Sequence, residues 1–413
     1  MKYLFYFDET YNDKRITLNE RGYINVLQND KSDTYIGVFT GFTNDAINNA
    51  VAEFEHFEHI YKKLFDIKYD KEIKSEVVKV KQYKYGLRSF NNLSYNFYYD
   101  FFNILKNNNI ILHITYMSKL ECYIKEVFKD IKMPMFVNRT KFLYSLIKFF
   151  IHFNDEELFK ALYRAQDEVE LNNLKELLCE NFERVIFSEN NIERKVLEHR
   201  ALLEMLTIID NAILVPVKTK VDFDYDQNFV GLLKLLDELS IKPNKVKLVI
   251  DYEENTFNAA SKYSFGKLCK SHSKDNIRLR FSDLLAGFIG RMIVSIVNDL
   301  QKNEVLLCDL KNSDNYDIAS RRMLDLQWFN LDEKTLELYK LVYFVLVKKQ
   351  NHYWNTNSSI YFDGACCFYS LLEYISQYRN IEEYNSIELK EHQMQFNNLC
   401  CTRMYYRYKK MKF

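Results

Sequence analysis

The chain has 413 residues, 47% hydrophobic and 28% charged, which is too long for one small core and too apolar for a disordered or fibrous protein. Its 57 basic residues balance 57 acidic ones, so whole-molecule attraction to nucleic acid or an anionic membrane is excluded and only local patches remain for polyanion contact. Nine Gly and three Pro are few for this length and favour long helices over a turn-rich all-β sandwich.

In chain order, residues 2 to 8 (KYLFYFD) form a short aromatic run with β propensity, and TYIGVFTGF (34 to 42) is a second, richer in β-branched side chains. These are expected to open a sheet, with ITLNERGYINVL (16 to 27) between them as a hairpin or extended loop around Gly22. Ile47, Val51, Phe54, Phe57, Ile60 and Leu64 recur at helical spacing, which predicts an amphipathic helix from Asn44 to Phe65 with Asn44 or Asp45 as its N-cap. A charged stretch (72 to 88) follows, then a helix through Asn103 and an apolar strand, IILHITYM (110 to 117).

Pro134 marks a break, and Phe142 to Phe187 then repeats three- and four-residue apolar spacing without Gly or Pro, reading as an inserted helical block. A helix from about Ile192 to Asn211 leads into ILVPVKTKV (213 to 221). NFVGLLKLLDEL (228 to 239) is a further helix, and VKLVID (246 to 251) is a buried strand after Pro243. Strand, helix, strand in this order is an α/β signature. FSDLLAGFIGRMIVSIVNDL (281 to 300) supplies a long apolar helix, and the remainder is expected to be mainly helical.

The apolar stretch Tyr3 to Phe7 stops at Asp8 and Glu9, too soon for a signal peptide, and Leu284 to Val297 is interrupted by Arg291 and too short to span a bilayer. Eight cysteines, two pairs of them adjacent in sequence, suit reduced thiols. A cytoplasmic protein without membrane attachment is therefore expected. Cys366, Cys367, His392, Cys400 and Cys401 lack the spacing of a zinc site and read as core residues. No Walker loop, G-x-G-x-x-G, G-x-S-x-G or H-E-x-x-H pattern occurs.

Four acidic residues fall where regular structure begins or ends: Asp8 at the end of the first strand, Glu72 after the first helix, Asp251 at the end of VKLVID, and Asp283 in the first turn of the apolar helix. Singly, each is more often a solvated cap or a first-turn residue favoured by the helix dipole. Aimed at one point above a sheet, they offer the oxygen ligands that a hard divalent cation needs. Two such ions can activate a water and stabilise the leaving oxygen of a phosphodiester.

The runs YFDET (6 to 10) and RFSDLLAGFIGR (280 to 291) resemble the opening Tyr-x-Asp-Glu-Ser/Thr and closing Leu-Ala-Asp-Leu-Ile/Leu-Ala-Gly signatures of domain-of-unknown-function family 3800, a group similar to RNase H. EIKS (72 to 75) is similar to its Glu-Leu-Lys-Ser/Gly segment and LVID (248 to 251) to its hydrophobic strand ending in Asp, in the same order along the chain. The resemblance covers roughly residues 1 to 120 and 190 to 300. It implies an α/β fold with an RNase H-like mixed sheet flanked by helices, and a carboxylate cluster that binds Mg2+ or Mn2+ through Asp8, Glu72, Asp251 and Asp283, with Glu9 as a fifth ligand. A helical insert (121 to 189) and a helical C-terminal region (301 to 413) lie outside it. Tyr11 stands where the family has Gly, which alters the turn that aims Glu9. Arg280, Phe281 and Ser282 replace Gln-Leu-Ala, and neither departure removes a carboxylate. Glu76 shares a segment with Glu72 and is an alternative ligand.

Three basic stretches offer a phosphate track. Lys74, Lys79, Lys81, Lys84 and Arg88 interleave with Tyr83 and Tyr85, which are suited to stack on unpaired bases. Lys262, Lys267, Lys270, Lys274, Arg278 and Arg280 lie between Asp251 and Asp283. The tail RMYYRYKKMKF (403 to 413) is the third and reads more readily as a solvated face. Nucleic-acid contact is expected from Lys74, Lys79, Lys81, Lys84, Lys270, Arg278 and Arg280. The expected function is a metal-dependent nuclease acting on RNA or DNA, whose insert and C-terminal region select substrate, hold a protein partner or build a homodimer. Its rivals are a non-catalytic nucleic-acid-binding or interaction protein and a phosphatase or nucleotide hydrolase using the same metals on a small substrate.

Overall fold

A computed structural model describes residues 2–10, 33–131, 133, 137–153, 155–189, 192–216, 224–301, 322–357 and 359–410. The hairpin or loop expected at 16 to 27 and the break at Pro134 lie outside the described residues. The two N-terminal aromatic runs pair antiparallel as β1 (Tyr3–Thr10) and β2 (Thr34–Thr43). Alternation along β1 sends Phe5 and Phe7 to one face and Tyr6 to the other, and the two faces pack against separate cores. A short extended segment, β3 (Lys84–Leu87), stands outside the sheet that β4 (Ile111–Ser118), β5 (Val246–Ile250), β6 (Lys267–Lys270) and β7 (Asn355–Asn357) complete. Strand order is β6-β5-β1-β2-β4-β7. β1, β2 and β4 run antiparallel to their neighbours in that trio, whereas β5, β6 and β7 join in parallel.

The first face is covered by α1 (Ile47–Leu64) and α2 (Asn92–Asn107), and the second by helices introduced below. The predicted capping of α1 by Asn44 or Asp45 is not what forms: Ala46 takes the cap position without a side-chain bond, and the Asn44 N–H is bonded to the Lys2 carbonyl at 3.0 Å. Five helices build a separate insert core: α3 (Lys119–Val127), α4 (Arg139–Phe153), α5 (Glu156–Arg164), α6 (Glu168–Glu189) and α7 (Val196–Asp210). The block expected from Phe142 to Phe187 is thus three helices. Asp155 and Asp167 break it, each accepting from a backbone N–H three residues on, at 2.8 and 2.9 Å, as N-cap side chains do.

On the second face, α8 (Gln227–Glu238) and α9 (Glu254–Ala260) pack over Phe5, Phe7 and Phe39. On the first, α10 (Arg280–Gln301) runs between the sheet and the later helices Glu333–Tyr343 and Asp363–Ser376, so it is apolar nearly all round. Among the described residues, the stretch Ile277–Gln301 alone is long and apolar enough to cross a membrane, and it is mostly buried inside the fold. β6 and β7 carry little β signal in their sequences, KLCK and NTN, and become strands by pairing with the exposed edges of β5 and β4.

A carboxylate site above the sheet

The Asp251 N–H bonds the Phe7 carbonyl at 3.3 Å, extending the β1–β5 ladder by one step. Asp8 and Asp251 therefore leave adjacent parallel strands side by side, on the face that carries Tyr6 and Val249. α10 lies over that face and is fixed there by Ser282, whose hydroxyl donates to the Tyr6 carbonyl at 2.9 Å and shares a hydrogen bond with Thr40 Oγ1 at 2.8 Å. Asp283 is the next residue, so the first helical turn brings its carboxyl within electrostatic range of Asp8.

The electrostatics follow from that placement. Burial pushes the Asp8 carboxyl well above its ordinary range, Asp283 and Asp251 push it further by repulsion, and the Glu9 N–H, bonded to Oδ1 at 2.7 Å, only partly opposes them. Asp283 is pushed up to about 6, chiefly by burial, with Lys74, Arg291 and the Ser75 N–H opposing and Glu72 adding repulsion. Glu72 thus borders the cluster. Its Oε1 lies 3.2 Å from Lys74 Nζ, and burial of that ammonium is outweighed by Glu72, Asp283 and Asp8, which together raise its proton affinity. Glu76 is exposed. The close approach depends on Gly287, because a Cβ there would meet Ser75 Oγ at 2.0 Å and Ser75 Cβ at 2.3 Å.

Glu9 follows Asp8 and points from the opposite face, where Oε2 accepts from Tyr35 Oη at 2.6 Å and Thr256 Oγ1 at 3.1 Å. At the strand end it still lines one cavity of about 360 Å³ together with Asp8, Asp251, Tyr252, Glu253 and His272.

The basic residues divide. Lys74 borders the site and is exposed, as are Lys79, Lys81 and Lys84, with Lys84 Nζ 4.8 Å from the centre of the Tyr85 ring. Lys270 pairs with Glu254 at 2.5 Å and lies 4.3 Å from the Phe257 ring centre, and Arg278 is near enough to Tyr6 to act on its hydroxyl. Arg280 is buried: it pairs with Glu58 at 2.5 Å, donates to the Ser273 and Lys274 carbonyls, and has Nε 3.7 Å from Glu72 Oε2. That guanidinium clamps the segments around the site to one another. Tyr83, expected to stack on bases, is fully buried and bonded to Tyr98 at 2.5 Å, whereas the exposed ring pair at the cavity, Tyr252 and His272, had no periodic signal to reveal it. His392 is a core residue, held between Tyr374 Oη at 2.8 Å and the Tyr384 carbonyl at 3.0 Å.

The donors at the site are hard oxygens on one face that repel one another, which is the chemistry a divalent cation relieves. Among the described residues, no group of three or more His, Cys, Asp or Glu side chains is already gathered tightly enough to hold an ion, so binding one requires the carboxylates to adjust. Comparison of the chain with protein-family models, with curated protein sequences and with solved structures found no match.

Proposed function

We propose that the protein is a divalent-metal-dependent nuclease built on an RNase H-like core, and that it is a member of domain-of-unknown-function family 3800. One observation carries this reading: Asp8 and Asp251 stand side by side on one face of the sheet beneath the helix that bears Asp283, and Asp8, raised chiefly by burial, is raised further by repulsion from the other two. The antiparallel trio β1, β2 and β4, continued by parallel β5 and β6, supports an RNase H-like sheet. Asp8, Asp251 and Asp283 would hold magnesium or manganese, with Glu72 beside them. When bound, such ions supply an activated water and neutralise the charge that builds on the leaving oxygen.

The chain's own residues hold that arrangement. Ser282 fixes the helix turn that bears Asp283, the Ser75 N–H orients the Asp283 carboxylate, and Lys74 offsets part of the negative charge. A non-catalytic binding role gives no reason to crowd partly buried carboxylates that repel one another, so the enzyme reading is favoured.

Purified protein should cleave RNA or DNA with magnesium or manganese, and chelator should stop it. Loss of a residue that merely supports a metal ligand costs about 10–100-fold, so Asp8→Ala and Asp283→Asn should each lose roughly a hundredfold or more while remaining folded. Wild-type rates from either folded variant, with contaminating nuclease excluded, would overturn the proposal.

A further inference from the structure

We infer that Tyr252 and His272 form a stacking platform for an unpaired nucleobase, which makes single-stranded nucleic acid the substrate class of the carboxylate site. The two rings are nearly parallel, 14° apart with centroids at 4.3 Å, and both line the cavity that contains Asp8 and Asp251. Tyr252 remains 61% exposed and His272 is also exposed, so the stack is not part of a core.

It is held firmly nonetheless. The Asp251 Oδ1 accepts from the Tyr252 N–H at 2.8 Å and from the Ser273 N–H at 3.3 Å, tying both ring-bearing segments to one carboxylate. The Ser271 N–H bonds the Ile250 carbonyl at 3.1 Å, so the backbone is pinned on each side of His272.

The charge of the cavity explains why such a platform is needed. Asp8, Glu9, Asp251 and Glu253 line it and repel a phosphate chain, and the chain's zero net charge supplies no compensating long-range attraction. Contact with a neutral base escapes that repulsion. Stacking is tolerant of sequence because every base has a π-face, but a base must leave a duplex to reach the rings. This inference rests on the nuclease reading only for the chemistry of the ligand.

The test measures binding of a fluorescein-labelled single-stranded oligonucleotide, the same strand with abasic sites, and a blunt duplex, all with calcium in place of magnesium. Base stacking on an aromatic side chain is worth enough that the base-bearing strand should bind about fivefold or more tighter than the abasic one. Tyr252→Ala should abolish that difference, Tyr252→Trp should keep it, and His272→Ala should reduce it, with unchanged melting temperatures showing that each variant folds. Equal binding of the base-bearing and abasic strands, an undiminished preference in Tyr252→Ala, or no binding of any strand overturns the platform. A base preference that depends on Tyr252, without cleavage in any divalent metal, supports the platform and defeats the nuclease reading alone.

Discussion

Asp283, in the first turn of α10, raises the proton affinity of Asp8 at the end of β1, although the two residues belong to opposite ends of the α/β region. The pairing arises because Ser282 bonds the Tyr6 carbonyl, so helix and strand are joined one residue before Asp283 and two before Asp8. Repulsion between them is a cost of folding that a cation, a proton or an amide can remove.

The proton case gives a pH dependence with a definite sign. Asp283 rises from an ordinary 3.8 to about 6, so between these values the folded chain holds a proton that the unfolded chain has lost. Stability therefore falls as pH rises from about 4 to 6, and the penalty is fully present above 6. Its size is on the order of 3 kcal/mol or less, since one pKa step is worth 1.36 kcal/mol. Urea denaturation in chelator should show Asp283→Asn gaining on wild type across that window. Manganese at a hundredfold excess over its Kd should then stabilise wild type by about 2.7 kcal/mol, and the variant by clearly less. A pH-independent difference, or equal manganese shifts, would remove Asp283 from the site.

Gly287 lets α10 approach the Ser75 segment, which orients Asp283 and carries Glu72 and Lys74 just before it. Gly287→Ala forces Ser75 away and should cost roughly 1–3 kcal/mol by overpacking. Its sharper signature is functional: cleavage and the manganese-induced thermal shift should both fall, even under conditions where the variant is fully folded. Full activity in Gly287→Ala would show that the position of the Ser75 segment does not matter.

Arg280 and Glu58 form an ion pair with 11% and 7% side-chain exposure, and Arg280 also binds two backbone carbonyls. Arg280→Met leaves the buried Glu58 carboxylate with the more distant Lys62 ammonium at 3.6 Å and the Ile73 N–H at 3.4 Å, and should cost about 3 kcal/mol, the low end for a broken buried pair. Adding Glu58→Leu should recover much of that loss, as a double-mutant cycle by chemical denaturation would reveal. If Arg280 instead served mainly to contact nucleic acid, Arg280→Met would weaken binding and leave stability nearly unchanged.

Much of the fold was legible from residue pattern. β-branched and aromatic runs located β1, β2, β4 and β5 to within a residue or two, and helical spacing located α1, α7, α8 and α10. β6 and β7 were not legible, because their pairing is supplied by the neighbouring strand edges. Arg280 and Tyr83 were misread for a related reason: charge and aromaticity are properties of a residue type, whereas exposure depends on what packs around it.

By itself, the sequence determined the periodicities that make strands and helices, the absence of net charge, and the acidic residues at element ends that brought Asp8, Glu72, Asp251 and Asp283 forward as candidates. Only the tertiary structure decided that Asp8 and Asp251 stand side by side, that Asp283 reaches them, and that Glu9 points from the other face. The physical reason is that local pattern follows from forces between near neighbours in the chain, while the meeting of distant carboxylates follows from strand register and from one serine hydroxyl that fixes a helix over a sheet.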